Sequence, residues 1–86
     1  MKFIYRKSFT KSLQKLPPNQ QKRIGQVIRC FENNPFDPQL KNHSLHGEQK
    51  ELRAISAGGD LRIIFMEENN YEVIHLIRIG THNQVY

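Results

Sequence analysis

The sequence predicts an α+β fold: an N-terminal strand, a hairpin of two helices, then an antiparallel meander of three strands, with the helices packed on one face of the sheet. Three observations carry this. Ile24, Val27, Ile28 and Phe31 recur at i, i+3, i+4 and i+7 in the first half. In the second half, Gly58-Gly59 separates two strand-like runs and supplies positive φ twice. The run 60–67 is apolar on both parities, with Leu61, Ile63 and Phe65 on one and Ile64 and Met66 on the other, which marks a strand inside a sheet.

Residues 2–6, Lys-Phe-Ile-Tyr-Arg, are aromatic and β-branched and read as the first strand. Ser8 is placed to cap a short helix whose face is Phe9, Leu13 and Leu16. Pro17-Pro18 ends that helix, because neither residue offers an N–H and Leu16 is pushed out of the α region. Pro18 suits the first turn of the next helix. Gly25 within the second helix costs about 1 kcal/mol relative to Ala, and is expected to let the first helix approach closely. Asn33-Asn34-Pro35 stops the helix, since Asn tolerates the left-handed conformation and Pro cannot continue. Residues 35–50 show no period and read as a loop, where binding and catalytic groups concentrate. Strands at 51–57, 60–67 and 71–79 complete the meander. The connection before the last strand sets its register. An even-length loop puts Arg78 on the face of Leu61 and Ile63, whereas an odd loop, or a bulge, puts it with Asp60 and Arg62.

The chain has 86 residues, 37% of them hydrophobic, enough for one domain spanning 1–86 with a thin core. Thirteen Lys and Arg against eight Asp and Glu give a formal charge of +5, which points to a polyanionic partner: RNA, DNA or an acidic protein. No run approaches the roughly 20 apolar residues of a membrane span, and MKFIYRKSF lacks the apolar stretch of a secretory signal. A single cysteine, Cys30, forms neither an internal disulfide nor a Cys-based zinc site. A cytoplasmic protein without membrane contact is expected.

The residues able to do chemistry are His43, His46, Lys50, Arg53, Asp60, Arg62, Arg78, His82 and Tyr86. His43 and His46 lie three apart, but the spacing matches no recurring zinc pattern, so no metal or other cofactor is expected. His75, between Ile74 and Leu76, reads as a packed histidine, and Cys30 as a helix-flank residue. No nucleophile elbow or phosphate-binding glycine loop is present. The remaining set suits metal-free RNA cleavage, in which the ribose 2′-OH attacks the adjacent phosphorus. His and Asp move the protons, Arg grips the phosphate with donors that never deprotonate, and Tyr stacks on a base or assists the acid step. Plain nucleic-acid or protein binding fits the same mixture of residue types.

The ending Ile77-Arg78-Ile79-Gly80-Thr81-His82-Asn83-Gln84-Val85-Tyr86 resembles the closing segment of the YafQ-like branch of the RelE/ParE toxin superfamily. There a strand ends in R-x-G-T-H, with an aromatic four residues after the His. Leu40-Lys41-Asn42-His43-Ser44-Leu45-His46-Gly47 is similar to the loop element of that branch, and Asp60-Leu61-Arg62-Ile63-Ile64-Phe65 to its central strand. The resemblance spans nearly the whole chain. It implies a RelE-like fold and the toxin of a type II toxin–antitoxin pair, a ribosome-dependent mRNA endonuclease held inactive by an acidic antitoxin. Operator DNA is then reached only through the antitoxin. Carried over by residue, His43, Asp60 and His82 match catalytic positions, Arg78 the phosphate-handling arginine and Tyr86 the terminal aromatic. His82 is then the general acid and either Asp60 or His43 the base, with Lys50, Arg53 and Arg62 binding RNA. The chain departs from the branch at Ser56, where a further His is usual, and at Leu61, where an aromatic often stands. The ParE branch implies a second reading, a gyrase-binding toxin that does no chemistry, and Ser56 leaves open a binding module of the same fold with a decayed catalytic site.

Overall fold

The structure, a computed structural model, describes residues 1–85. Its elements are β1 (Lys2–Tyr5), α1 (Lys7–Gln14), α2 (Pro18–Asn33), β2 (His43–Ser44), β3 (Arg53–Ser56), β4 (Leu61–Glu68), β5 (Val73–Thr81) and a terminal turn of helix, α3 (His82–Val85). The strands form one sheet of order β1-β5-β4-β3-β2, so β4 lies at its centre, as its two apolar faces require. β1 runs parallel to β5, and every other pairing is antiparallel. The α+β architecture of strand, helix pair and meander is thus the one the periodicities predict. The sequence did not reveal β2. It lies inside the aperiodic 35–50 segment, and a two-residue edge strand has no period to detect.

One layer of apolar side chains joins helices to sheet. Phe9, Ile24 and Phe31 pack with Ile55, Ile63, Phe65, Ile74, Leu76 and Ile79, all nearly inaccessible to water. Phe31 meets Phe65 edge-on with ring centroids 4.9 Å apart. Each such side chain contributes about 1.5–3 kcal/mol through burial. The opposite sheet face holds only a small second cluster of Leu45, Ala54 and Ile64, flanked by Leu52 and Ile77. That face carries the polar groups.

Four local expectations change. The N-cap of α1 is Arg6, not Ser8, whose hydroxyl instead donates to the Ile77 carbonyl. α2 ends at Asn34 with φ −156°, extended rather than left-handed. A Cβ at Gly25 would meet only Arg29 of the same helix, at 3.7 Å, so this glycine serves no close approach of α1. The last strand starts at Val73 rather than Tyr71, because Asn69, Asn70 and Tyr71 all take φ between 53° and 71°. Tyr71 holds this unfavourable backbone among Phe31, Phe36 and Phe65, with its N–H donating to Glu67 Oε1 at 2.9 Å.

The β4–β5 connection is therefore even, and by itself would turn Arg78 toward Ile63 and the core. A bulge prevents this. The register runs Glu68↔Val73 to Phe65↔Leu76, then resumes at Ile64↔Arg78, leaving Ile77 without a partner. Arg78 consequently shares the open face with Arg62 and Ile64.

Candidate active site

Alternation of side chains converts this register into a site. His43 pairs with Ala54, Ala54 with Ile64 and Ile64 with Arg78, so one row crosses four strands of the open face. It has His43 at one end and Arg78 at the other, over a floor of alanine and isoleucine. Ser56, Arg62 and Gly80 form the next row. Arg62 and Arg78 are diagonal neighbours, roughly 7–8 Å apart at the backbone. Both are half-buried, and among the described residues no carboxylate lies in salt-bridge range of either. Arg62 Nη1 donates to the carbonyls of Gly59 and Leu61, which folds its guanidinium back over the turn. Two cations held side by side without an acid form a surface ready for an anion.

The histidines converge. His43, Ser44, Leu45, His46, Gln49 and His82 line one cleft of about 360 Å³. His43 is held by a hydrogen bond of 2.8 Å between Nδ1 and the Lys41 carbonyl, which directs Nε2 away from that contact. Lys41 accommodates this with a left-handed backbone, φ 51°. His82 opens α3 directly after β5, and its N–H donates to the Asp60 carbonyl at 2.9 Å. Gln84 Oε1 accepts from the Thr81 N–H at 2.8 Å, fixing the strand-to-helix corner.

The other predicted site residues lie apart from the histidine cleft. Asp60 lines a neighbouring cleft with Asn19, Gln20, Arg23 and Thr81, and so meets His82 through its backbone. Lys50 and Arg53 border a third recess with Glu51, Met66 and Glu67. Arg53 alternates onto the helix-facing side of β3, and its Nε donates to Asn42 Oδ1 at 2.8 Å. The structure therefore does not bring Arg53 to the face of Arg62 and Arg78. Tyr86 lies outside the described residues. His75 is the packed histidine expected, buried to 9% exposure with Glu68 on Nε2 and Arg6 3.4 Å from Nδ1. Among the described residues no three His, Cys, Asp or Glu side chains are grouped to hold a metal ion, and no helix is long and apolar enough to cross a membrane.

The family described as the bacterial toxin YafQ of type II toxin–antitoxin systems matches residues 1–86. The chain belongs to the YafQ family. It is accordingly a type II toxin–antitoxin toxin, and its fold is shared with solved toxins. YafQ from E. coli strain BL21(DE3) superimposes with a TM-score of 0.80 at 18% identity, covering 98% of this chain and 96% of that one. An archaeal RelE, solved in complex with RelB from Pyrococcus horikoshii OT3, gives a TM-score of 0.75 at 21% identity over 96% of both chains. The E. coli DinJ-YafQ toxin–antitoxin complex gives 0.69 at 19% identity, covering 98% of this chain and 94% of that one. No curated protein matches in sequence.

Two supports of this YafQ-family site had no sequence signal. Asn42 ties the loop bearing His43 to the body: Nδ2 donates to the Pro35 carbonyl and the Tyr71 hydroxyl at 3.0 and 3.1 Å, and Oδ1 accepts from Arg53. Arg23 leaves α2 to lie across Gly58, bordering the cleft that holds Asp60. Both contacts join segments remote in sequence, so no local spacing predicts them.

Proposed function

We propose that this YafQ-family toxin is a ribosome-dependent mRNA endonuclease that cleaves without a metal. The single observation that carries the reading is the shared cleft of His43 and His82 on the sheet face that also bears Arg62 and, through the bulge, Arg78. An acid, a base and a cationic grip are the parts that 2′-OH attack requires. His43 takes the proton from the ribose 2′-OH as its oxygen bonds to phosphorus. His82 gives a proton to the departing 5′-oxygen. Arg78 and Arg62 neutralise the charge that builds on the phosphorane, and the products are a 2′,3′-cyclic phosphate and a 5′-hydroxyl end. The separate cleft of Asp60 favours His43 as base, with Asp60 orienting His82 through its carbonyl. Tyr86 acts as the terminal aromatic beside the leaving group or base, and Lys50 binds RNA flanking the cut.

The DinJ-YafQ and RelB-RelE complexes support an antitoxin partner. With a formal charge of +5, the toxin favours an acidic antitoxin, folding on contact, through which alone operator DNA is reached. Action on translated mRNA places the toxin in the cytoplasm.

The test is expression of the parent, His82→Ala and Arg78→Ala with mapping of mRNA ends. Each variant should lose about 10²–10⁴ in cutting rate. Arg78→Ala should melt within about 0.5 kcal/mol of the parent, since no ion pair is lost. Cutting by both variants at the parent's rate refutes the assignment. Induction of the DNA-damage response with intact mRNA replaces it with gyrase binding.

A further inference from the structure

One buried group has no part in the proposed chemistry. Among the described residues, His75 is the only polar or charged side chain that is buried. Its neighbours Ile74 and Leu76 belong to the helix-facing core, so alternation turns His75 to the open face, where its strand partners are Met66 of β4 and Ile4 of β1. Both ring nitrogens are engaged: Arg6 Nη2 lies 3.4 Å from Nδ1, and Glu68 Oε1 meets Nε2. A guanidinium only donates and a carboxylate only accepts. Nδ1 therefore offers a lone pair, Nε2 carries the proton, and the ring is neutral. Glu68 ends β4 and pairs with Val73, so its bond to His75 is a diagonal link across the β4–β5 ladder. That link exists in one register only, because sliding β5 by one residue sends Glu68 and His75 to opposite faces. From the other side, Arg6 gives its backbone N–H to the Leu76 carbonyl at 3.1 Å, and the Ser8 hydroxyl donates to that of Ile77. Residues 75, 76 and 77 are thus gripped in succession, and the next pair along the ladder is the displaced one, Ile64↔Arg78.

We infer that His75 is a positioning residue for Arg78: by bridging Glu68 to Arg6 it fixes the β4–β5 register ahead of the bulge, and with it the point at which the skip delivers the guanidinium to the open face. A bulge leaves one residue unpaired and disrupts the ladder locally, so its place is set by what holds the strand on either side. A packed apolar side chain at 75 would fill the same space but hold neither neighbour. The buried imidazole holds both, and each of its bonds runs in the direction its tautomer allows. What Arg78 does once placed rests on the RNA reading above, whereas how it is placed rests on the geometry alone.

The experiment uses the full chain. Imidazole nitrogen shifts in NMR report the tautomer of His75, and cross-strand Hα contacts report whether Ile64 still faces Arg78. The parent should show a neutral ring with its proton on Nε2 at neutral pH; a proton on Nδ1, or a charged ring, overturns the inference. His75→Leu, Glu68→Met and Arg6→Met each break the network, while Glu68→Gln keeps the acceptor and Arg6→Lys keeps a donor. The breaking variants should lose about 10–100-fold in single-turnover cutting on translating ribosomes, because a misplaced Arg78 fails the phosphorane. Their apparent affinity for the ribosome should stay within about threefold of the parent, and the two conservative variants should cut within about threefold of it. In an Arg78→Ala background the breaking changes should lower cutting no further, since they act through that arginine. Breaking variants that cut like the parent, or that lower the Arg78→Ala rate by the same factor again, overturn the inference. Where His75→Leu fails to fold, Glu68→Met and Arg6→Met, both at exposed positions, decide the matter. A parent that cuts no mRNA refutes the nuclease reading and leaves the Hα contacts to judge the positioning: an unchanged Ile64–Arg78 contact in the breaking variants overturns it.

Discussion

Gly58 combines two constraints that substitution to alanine separates. Its φ is +93°, outside the ordinary range of residues with a side chain, and a Cβ there would sit 2.3 Å from Arg23 Nη1 and 2.7 Å from Arg23 Cδ. The backbone conformation alone costs about 1–3 kcal/mol for a non-glycine residue. Arg23 is exposed at its end and can swing aside, which adds an off-rotamer cost of about 0.5–1.5 kcal/mol. Gly58→Ala should therefore lose about 2–4 kcal/mol, or roughly 10–25 °C in Tm for a domain of this size. Gly59 provides the control. Its φ of +53° is ordinary left-handed backbone with open space around a Cβ, so Gly59→Ala should lose only about 1–2 kcal/mol. Urea unfolding of both variants, each repeated in an Arg23→Ala background, resolves the two terms. Removing Arg23 should shrink the Gly58→Ala loss by about 1 kcal/mol and leave the Gly59→Ala loss unchanged. Equal losses at 58 and 59, or no effect of Arg23→Ala on either, would refute the reasoning.

Asn42→Ala removes three hydrogen bonds that converge on one amide. It should cost about 2–3 kcal/mol in urea unfolding and reduce mRNA cutting by freeing the loop of His43; a loss under about 0.5 kcal/mol contradicts the role given to it. Burial pushes the Cys30 thiol above its ordinary value, helped by the charge of Asp37 and a hydrogen bond to it. Little thiolate is then present at neutral pH, so alkylation is slow and accelerates only as pH rises past the usual thiol range. Asp37→Asn should move the titration midpoint of iodoacetamide labelling down, part of the way to the ordinary value, and an unchanged midpoint rules out the carboxylate's share.

The legible part of this molecule was the part with a period. The helix faces of Phe9 and of Ile24 to Phe31, the proline break between them, the glycine turn and the two-sided β4 all follow from local spacing, because burial repeats at the pitch of the element. The histidine loop and the strand-to-helix corner at His82 stood out as motifs, and the fold brings His43 and His82 to one cleft. Arg53 did not reveal its face in the sequence, because a basic residue near a site looks alike whether it points to the open sheet face or to an asparagine eleven residues away. Ser8 misled for a related reason: a hydroxyl ahead of a helix has more than one acceptor within reach, and the nearer helix N–H groups lost to a carbonyl sixty-nine residues away. The skipped partner at Ile77 is invisible locally, since Ile77-Arg78-Ile79 alternates perfectly well in either phase.

That skip also governs how errors are rejected while the chain folds. Pairing β4 with β5 in unbroken phase would press the Arg78 guanidinium against the Phe9 and Ile63 layer, stripped of water and without an acid, at a cost of several kcal/mol. The slipped hairpin is thus self-rejecting. The correct one presents the Ile77 carbonyl to the Ser8 hydroxyl, and Ser8 arrives only when α1 is seated. Seating the first helix and choosing the phase of the last strand become a single cooperative decision. Arg78 takes its place on the open face together with the opposite end of the chain.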